Sequence, residues 1–132
     1  MSNTTIFEIE NSIMNLINDI IVDDTNINIH LGTPQGFLMQ INNDLPCILI
    51  SYSGTEPHRD MYPGNLIFSI YFISNREDRQ TIYELMQKVF DRLQHSIVLD
   101  LNAGFKLQFD KFEYEDTEFL IFTQQWGCTK IN

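Results

Sequence analysis

Residues Leu45 to Leu93 carry most of the structural signal in this chain, and they read LPCILISYSGTEPHRDMYPGNLIFSIYFISNREDRQTIYELMQKVFDRL. Two apolar runs, Cys47 to Ser53 and Leu66 to Ser74, have the length and the β-branched and aromatic content of strands. Apolar residues at helical spacing follow, from Ile82 to Leu93. The segment therefore predicts strand, loop, strand and helix in that order, with the loop at Gly54 to Gly64.

The flanking sequence adds one more helix and further strands. Apolar residues repeat at helical spacing from Thr5 to about Val22, whereas Asn26 to Leu31 alternates as a short strand does. Lys106 to Phe112 also alternates, Glu118 to Lys130 is expected to be a last strand, and the acidic turn between them predicts a hairpin. Residues 32–44 are left open, as a loop or with a strand at 37–41. Because helices occur only twice, the order favours an α+β fold, with a mostly antiparallel sheet of four to five strands packed against two helices.

Length and composition predict a single globular domain over residues 1–132. With 43% hydrophobic residues, a chain of this size can bury a core without metal or disulfide support. The two cysteines, Cys47 and Cys128, lack the spacing of a zinc site and lie in apolar strands, so buried thiols are expected. Whether they pair is left open. No signal peptide and no apolar run of about 20 residues is recognisable, so we expect a cytoplasmic protein without a membrane span.

The charge balance excludes some classes of partner. Lys and Arg number 8 against 18 Asp and Glu, for a formal net charge of −10. A surface that binds nucleic acid or an anionic membrane normally carries a basic stripe, and none is present in the sequence. Two interpretations of the acidity stay open. It keeps the protein soluble, or it lines the lumen of a ring and repels DNA.

The predicted loop at residues 54–64 concentrates polar chemistry. Its ionisable and aromatic side chains are Glu56, His58, Arg59, Asp60 and Tyr62. A metal site would use the histidine with the two acids, but the spacing matches no recognised ligand motif. An exposed contact loop is the simpler interpretation, so the five residues are predicted to contact another subunit or a partner. No catalytic, cofactor-binding or metal-binding residue is predicted, and the protein is not expected to be an enzyme.

Two apolar features point to a neighbour. Trp126 in the last strand is a candidate anchor for a partner, because tryptophan is enriched at interface hot spots, although a lone strand tryptophan is more often core. The strands at 48–52 and 66–73 are apolar on both faces. Two helices can cover one face, so long loops or another subunit must cover the other. A contiguous apolar patch usually marks an interface, which favours the subunit.

This layout resembles the Mu-like group of phage tail proteins and, more broadly, the tail-terminator fold of tailed phages and contractile injection particles. The likeness lies in the N-terminal amphipathic helix, in the Pro-led strand Pro46 to Ser53 followed by Gly54 and a polar loop, and in the strand ending at Asn75 that runs into Arg76 to Arg79 and the second helix. It spans most of the chain in order and brings no catalytic residues. The resemblance implies a structural protein that forms a ring, usually a hexamer, on the end of the tail tube. Such a ring stops tube polymerisation and offers a surface to the next component.

Residues and resemblance together predict a non-enzymatic tail terminator without a cofactor. Its partners would be further copies of itself, the tail tube, and sheath or connector proteins, with no membrane and no sequence-specific nucleic-acid binding. It would occupy the bacterial host cytoplasm during assembly, and later the tail of a virion or injection particle. Two alternatives stay open, which are a small acidic adaptor resembling a secretion chaperone and a metal-binding domain that uses the 54–64 loop.

Overall fold

The computed structural model describes residues 2–21, 27–34, 46–58, 61–94, 97–98, 103–115 and 118–130, without the side chains of 2–5, 55–58, 61–65, 97–98, 103 and 129–130. The described elements are α1 (Ser2–Ile21), β1 (Asn28–Leu31), β2 (Cys47–His58), β3 (Met61–Asn75), a 3-10 turn (Arg76–Asp78), α2 (Arg79–Gln94), β4 (Ile97–Val98), β5 (Ala103–Glu115) and β6 (Phe119–Lys130). The predicted α+β class is confirmed. The strand considered at 37–41 lies outside the described residues.

The described strands form one sheet in the order β1-β2-β3-β6-β5-β4. β1 runs parallel to β2, and the other neighbours are antiparallel. Five of the six strands correspond to predicted ones, and the additional strand β4 has just two residues. The predicted hairpin of the last two strands is confirmed, with β5 and β6 paired from Ala103 and Lys130 to Glu115 and Leu120.

Both helices pack on one face of the sheet, where they form the main core. Each helix buries one residue per turn, which is what the helical spacing of their apolar residues predicts. The buried helical residues are Ile9, Ile13, Ile17 and Ile21 from α1 and Ile82, Leu85, Val89 and Leu93 from α2. They meet a sheet face that includes Ile48, Ile50, Phe68, Ile70 and Phe72, and we call this the helix-side core. Burying each such side chain stabilises the fold by about 1.5–3 kcal/mol.

Asn75, the residue before Arg76, does not cap α2. Asn75 is extended and makes no side-chain cap hydrogen bond, because a 3-10 turn separates it from the helix. The backbone N–H of Arg76 instead donates to the Glu118 carbonyl at 3.0 Å. The side chains of Arg76 and Arg79 pair with Glu115 at 2.8 and 3.3 Å. These contacts fasten the start of α2 to the β5–β6 hairpin.

The opposite face of the sheet carries a smaller second cluster. Its members Cys47, Leu49, Ile73 and Ile121 are at most 2% exposed, with Tyr71 and Phe119 packed against them. These side chains are removed from water within a single chain. The expectation that a neighbouring subunit covers this part of the second face is therefore wrong.

None of the helices in the described part of the chain is long and apolar enough to cross a membrane.

Candidate functional site

The backbone at the predicted loop, residues 54–64, is mostly strand. β2 continues to His58 and β3 begins at Met61, and the register pairs Glu56 with Asn65 and His58 with Met61. Glycine and proline in this stretch predict a loop, but antiparallel pairing accommodates them. Pro57, which has no N–H to give to a ladder, is the extra residue at a register shift between Glu56 and His58. The loop prediction is therefore wrong for the backbone on both sides of residues 59–60.

This pairing produces a two-stranded extension of the sheet, which we call the arm and define as residues 55–58 and 61–65. β1 pairs with β2 at Cys47 to Ile50, and β6 pairs with β3 from Leu66 onward, so the arm lies beyond both neighbours. Of the predicted interface residues, Glu56 and His58 lie on the first strand of the arm and Tyr62 on the second. Their side chains, and all of Arg59 and Asp60, lie outside the described residues. The interface prediction for these five residues stays a prediction.

A β-bulge lies at the base of the arm. The register shifts between Tyr52 and Gly54, which makes Ser53 the extra residue. Gly54 has a φ of 148°, a conformation that residues with a Cβ adopt at a cost of about 1–3 kcal/mol. A Cβ built there would meet no atom within 4 Å, so the backbone angle and not crowding calls for glycine. Because a bulge bends and twists its strand, this one sets the direction of the arm.

Trp126, the predicted anchor for a partner, belongs to the helix-side core. Its side chain is 0% exposed, and its ring lies 6.0 Å from that of Phe90 in α2. Its indole N–H donates to Gln124 Oε1 at 3.1 Å. A side chain without exposure cannot touch another protein, so the prediction that Trp126 contacts a partner directly is wrong.

Gln124 lines a groove that the sequence did not predict. It is 1% exposed, and its Nε2 donates to the Met86 carbonyl at 3.0 Å while its Oε1 accepts the Trp126 indole N–H. The amide thus ties β6 to α2. Above it lies a groove of about 350 Å³ between α2 and β5, lined by Tyr83, Met86, Gln87, Phe90, Leu107, Asp110 and Gln124.

The helical members of the groove had a recognisable signal. Tyr83, Met86, Gln87 and Phe90 stand at i, i+3, i+4 and i+7, which places them on one face of α2 beside the core stripe. The core stripe and this second stripe together give α2 a wider apolar surface than its packing on the sheet buries. The strand members could not be predicted, because their place opposite α2 depends on the tertiary register.

The two cysteines are free thiols on opposite faces of the sheet. Cys47 belongs to the second cluster and Cys128 to the helix-side core, so they cannot pair. Burial raises the pKa of the Cys128 thiol to about 12. Since the thiolate is the reactive form, Cys128 is inert at neutral pH.

The described residues contain no group of three or more His, Cys, Asp or Glu side chains that could hold a metal ion. The side chains on which the metal hypothesis depends, Glu56, His58 and Asp60, lie outside that description. No protein-family model matches the chain, and no curated protein matches it either.

Proposed function

We propose that this protein is a non-enzymatic structural subunit that forms an oligomeric ring on the end of a phage or injection-particle tail tube and ends its polymerisation. The observation that carries the proposal is the arm. An isolated two-stranded ribbon is marginally stable in water. An arm that leaves the body of the sheet is explained if a neighbouring subunit packs against it, and three of the residues predicted for the interface, Glu56, His58 and Tyr62, lie on this arm.

The edges of the sheet are compatible with a head-to-tail ring. Among the described strands, β1 covers β2 only at Cys47 to Ile50, and β4 covers β5 only at Ala103 and Gly104. Three antiparallel steps separate β2 from β5, so the two strands run in opposite directions. The β5 edge of one copy can therefore approach the β2 side of the next. Contacts between two different surfaces generate a ring when the rotation closes.

The charge supports the same assignment. A formal net charge of −10 per subunit gives a ring a strongly acidic surface. An acidic lumen repels DNA and lets it pass without binding. In this proposal the subunits cap the tube because they match its terminal ring but lack the surface that recruits another one. They assemble in the host cytoplasm, need no cofactor, and then hold the sheath or connector protein at the end of the tail.

Light scattering of the purified protein across concentration and salt tests the proposal. We expect a hexamer-sized species, or a monomer that becomes one on concentration. The double variant Arg59→Ala/Asp60→Ala, which changes the two residues between the strands of the arm in the sequence, should lose this species while its circular dichroism spectrum and thermal melt stay unchanged. The matched control Lys88→Ala/Asp91→Ala removes one charge of each sign from the exposed side of α2 and should keep it.

Two results would contradict the ring. A strict monomer at every concentration leaves the arm without a neighbour. A stable dimer that the arm variant does not alter would favour the adaptor that resembles a secretion chaperone. Metal analysis separates the remaining alternative, because a stoichiometric ion that is lost in His58→Ala would favour the metal-binding domain.

A further inference from the structure

The groove between α2 and β5 is bordered by exposed aromatic side chains. Tyr83 of α2 and Phe112 of β5 are 47% and 52% accessible. Phe112 lies on the helix side of the sheet, because it pairs with Phe122 of the helix-side core. Such residues scattered singly need no explanation, but a contiguous patch usually marks an interaction site. Tyr83 and Phe112 meet over Phe122, so they form one continuous patch beside the groove.

The walls of the groove are preformed. Tyr83 and Phe112 both pack edge-on against Phe122, with ring centroids 5.4 and 5.7 Å apart. Gln124 is fixed from two sides by Met86 and Trp126, as its two hydrogen bonds show. A site that is already ordered loses little conformational entropy when a ligand enters. Met86 adds an unbranched, polarisable side chain that adapts to different apolar ligands.

Asp110 gives the groove its electrostatic character. It is the only acidic or basic residue of the lining, it is exposed, and it forms no ion pair with any described residue. A carboxylate beside the rings of Tyr83 and Phe90 suits the side chain of a Lys or Arg. The aliphatic stem of such a residue covers the rings, and its charged head reaches the carboxylate.

The strand that borders the groove can accept a further strand. β4 pairs with β5 only at Ala103 and Gly104, and no other described strand lies outside β5. Register shifts place bulges at Gln108 and Glu113, so the regular stretch between them is Phe109 to Phe112. An extended peptide that pairs with this stretch alternates its side chains between the two faces. Those on the helix side enter the groove beside Asp110.

We propose that the groove and the β5 edge together bind an extended segment of a partner protein, in which an apolar residue and a Lys or Arg stand two positions apart. That spacing places both side chains on the same face of the added strand. The apolar side chain fills the space between Phe90 and Leu107, and the cation pairs with Asp110. The net charge of −10 attracts a cationic segment and speeds its association. The arm forms no part of this site, but the site uses the β5 edge that a head-to-tail ring would place beside the next copy, so a bound segment and that contact would exclude each other.

Selection from a random library of displayed twelve-residue peptides against the purified full chain tests the proposal. We expect enrichment of sequences with an apolar residue two positions from a Lys or Arg. The most enriched sequence is then synthesised, and its Kd is measured by fluorescence anisotropy against the protein and three variants. Asp110→Lys and Tyr83→Ser should each weaken binding by about tenfold or more, since each removes a principal contact.

Glu8→Lys is the matched control, because it makes the same reversal of charge on the exposed face of α1, away from the groove. It should change the Kd by less than about twofold. Circular dichroism must show all variants folded. Enrichment of no such motif, or a Kd that Asp110→Lys leaves unchanged, overturns the proposal. The proposal is also overturned if no peptide is enriched and if Asp110→Lys, unlike the other variants, lowers the mass of the protein in solution. That result would mean that a second copy of the chain fills the groove.

Discussion

Glu10 in α1 accepts a hydrogen bond through Oε2 from the backbone N–H of Tyr52 in β2, at 3.1 Å. Tyr52 lies just past Ile50, the last residue of β2 that pairs with β1. The helix therefore supplies an acceptor at the point where the neighbouring strand has ended. The Tyr52 ring packs edge-on against Phe68 at 5.6 Å, so the same residue also joins the helix-side core. This contact fixes α1 against the base of the arm.

Removing this acceptor should destabilise the fold. We expect Glu10→Ala to lower the free energy of unfolding by about 1–2 kcal/mol, because a hydrogen bond to a charged group at a half-buried position is lost. Urea denaturation followed by circular dichroism measures the change. Glu8→Ala is the control on the exposed face of the same helix and should stay within about 0.5 kcal/mol of the unchanged protein. Equal effects of the two substitutions would show that the contact to Tyr52 contributes nothing.

Gln124 should be more sensitive, because its amide bonds to two groups at once. Gln124→Ala leaves the buried Trp126 indole N–H without an acceptor and removes a hydrogen bond to the Met86 carbonyl, at an expected cost of about 2–3 kcal/mol. The neighbouring Gln125 is half-buried on the opposite face of the sheet. Gln125→Ala should therefore cost less than about 1 kcal/mol in the same urea experiment. If the two alanine variants unfold at the same urea concentration, the amide does not hold α2 and β6 together.

The Cys128 thiol predicts a loss of stability at high pH. Burial raises its pKa in the folded protein from 9.0 to about 12. Above pH 9 the unfolded chain releases the thiol proton while the folded protein retains it. The free energy of unfolding therefore falls as the pH rises from about 9 towards 12. We expect the free energy of unfolding to fall less steeply over this range in Cys128→Ala than in the unchanged protein. Parallel slopes would mean that the thiol titrates normally in the folded state.

The sequence predicted the fold wherever local pattern and tertiary environment agree. Alternation predicted β5, the acidic turn predicted its hairpin with β6, and helical spacing predicted the face of α2 that packs on the sheet. These signals are reliable because burial on one face repeats with the period of the element. The core at Ile48, Phe68 and Phe72 follows from the same rule.

The candidate sites were harder to predict because they depend on exceptions to local rules. Pro57 and Gly54 indicate a loop, yet both fall at bulges and leave the pairing of the arm intact. The burial of Trp126 depends on Phe90 and Gln124, which are brought together only by the packing of α2 on β6. The groove has the same origin, since Asp110 and Tyr83 come from elements whose crossing is set by the whole core.

Gly54 offers a test of whether the bulge at the base of the arm is needed. Its φ of 148° is costly for any residue with a Cβ, whereas the surrounding space is open. We therefore expect Gly54→Ala to lower the free energy of unfolding by about 1–3 kcal/mol through the backbone alone. Ser51→Ala is the control in the same strand, because the hydroxyl of Ser51 bonds only to the adjacent Tyr52 carbonyl at 3.4 Å, and it should cost less than about 0.5 kcal/mol. Urea denaturation compares the two. If Gly54→Ala is as stable as the control, the strand can reach the arm without the glycine conformation, and the bulge does not set its direction.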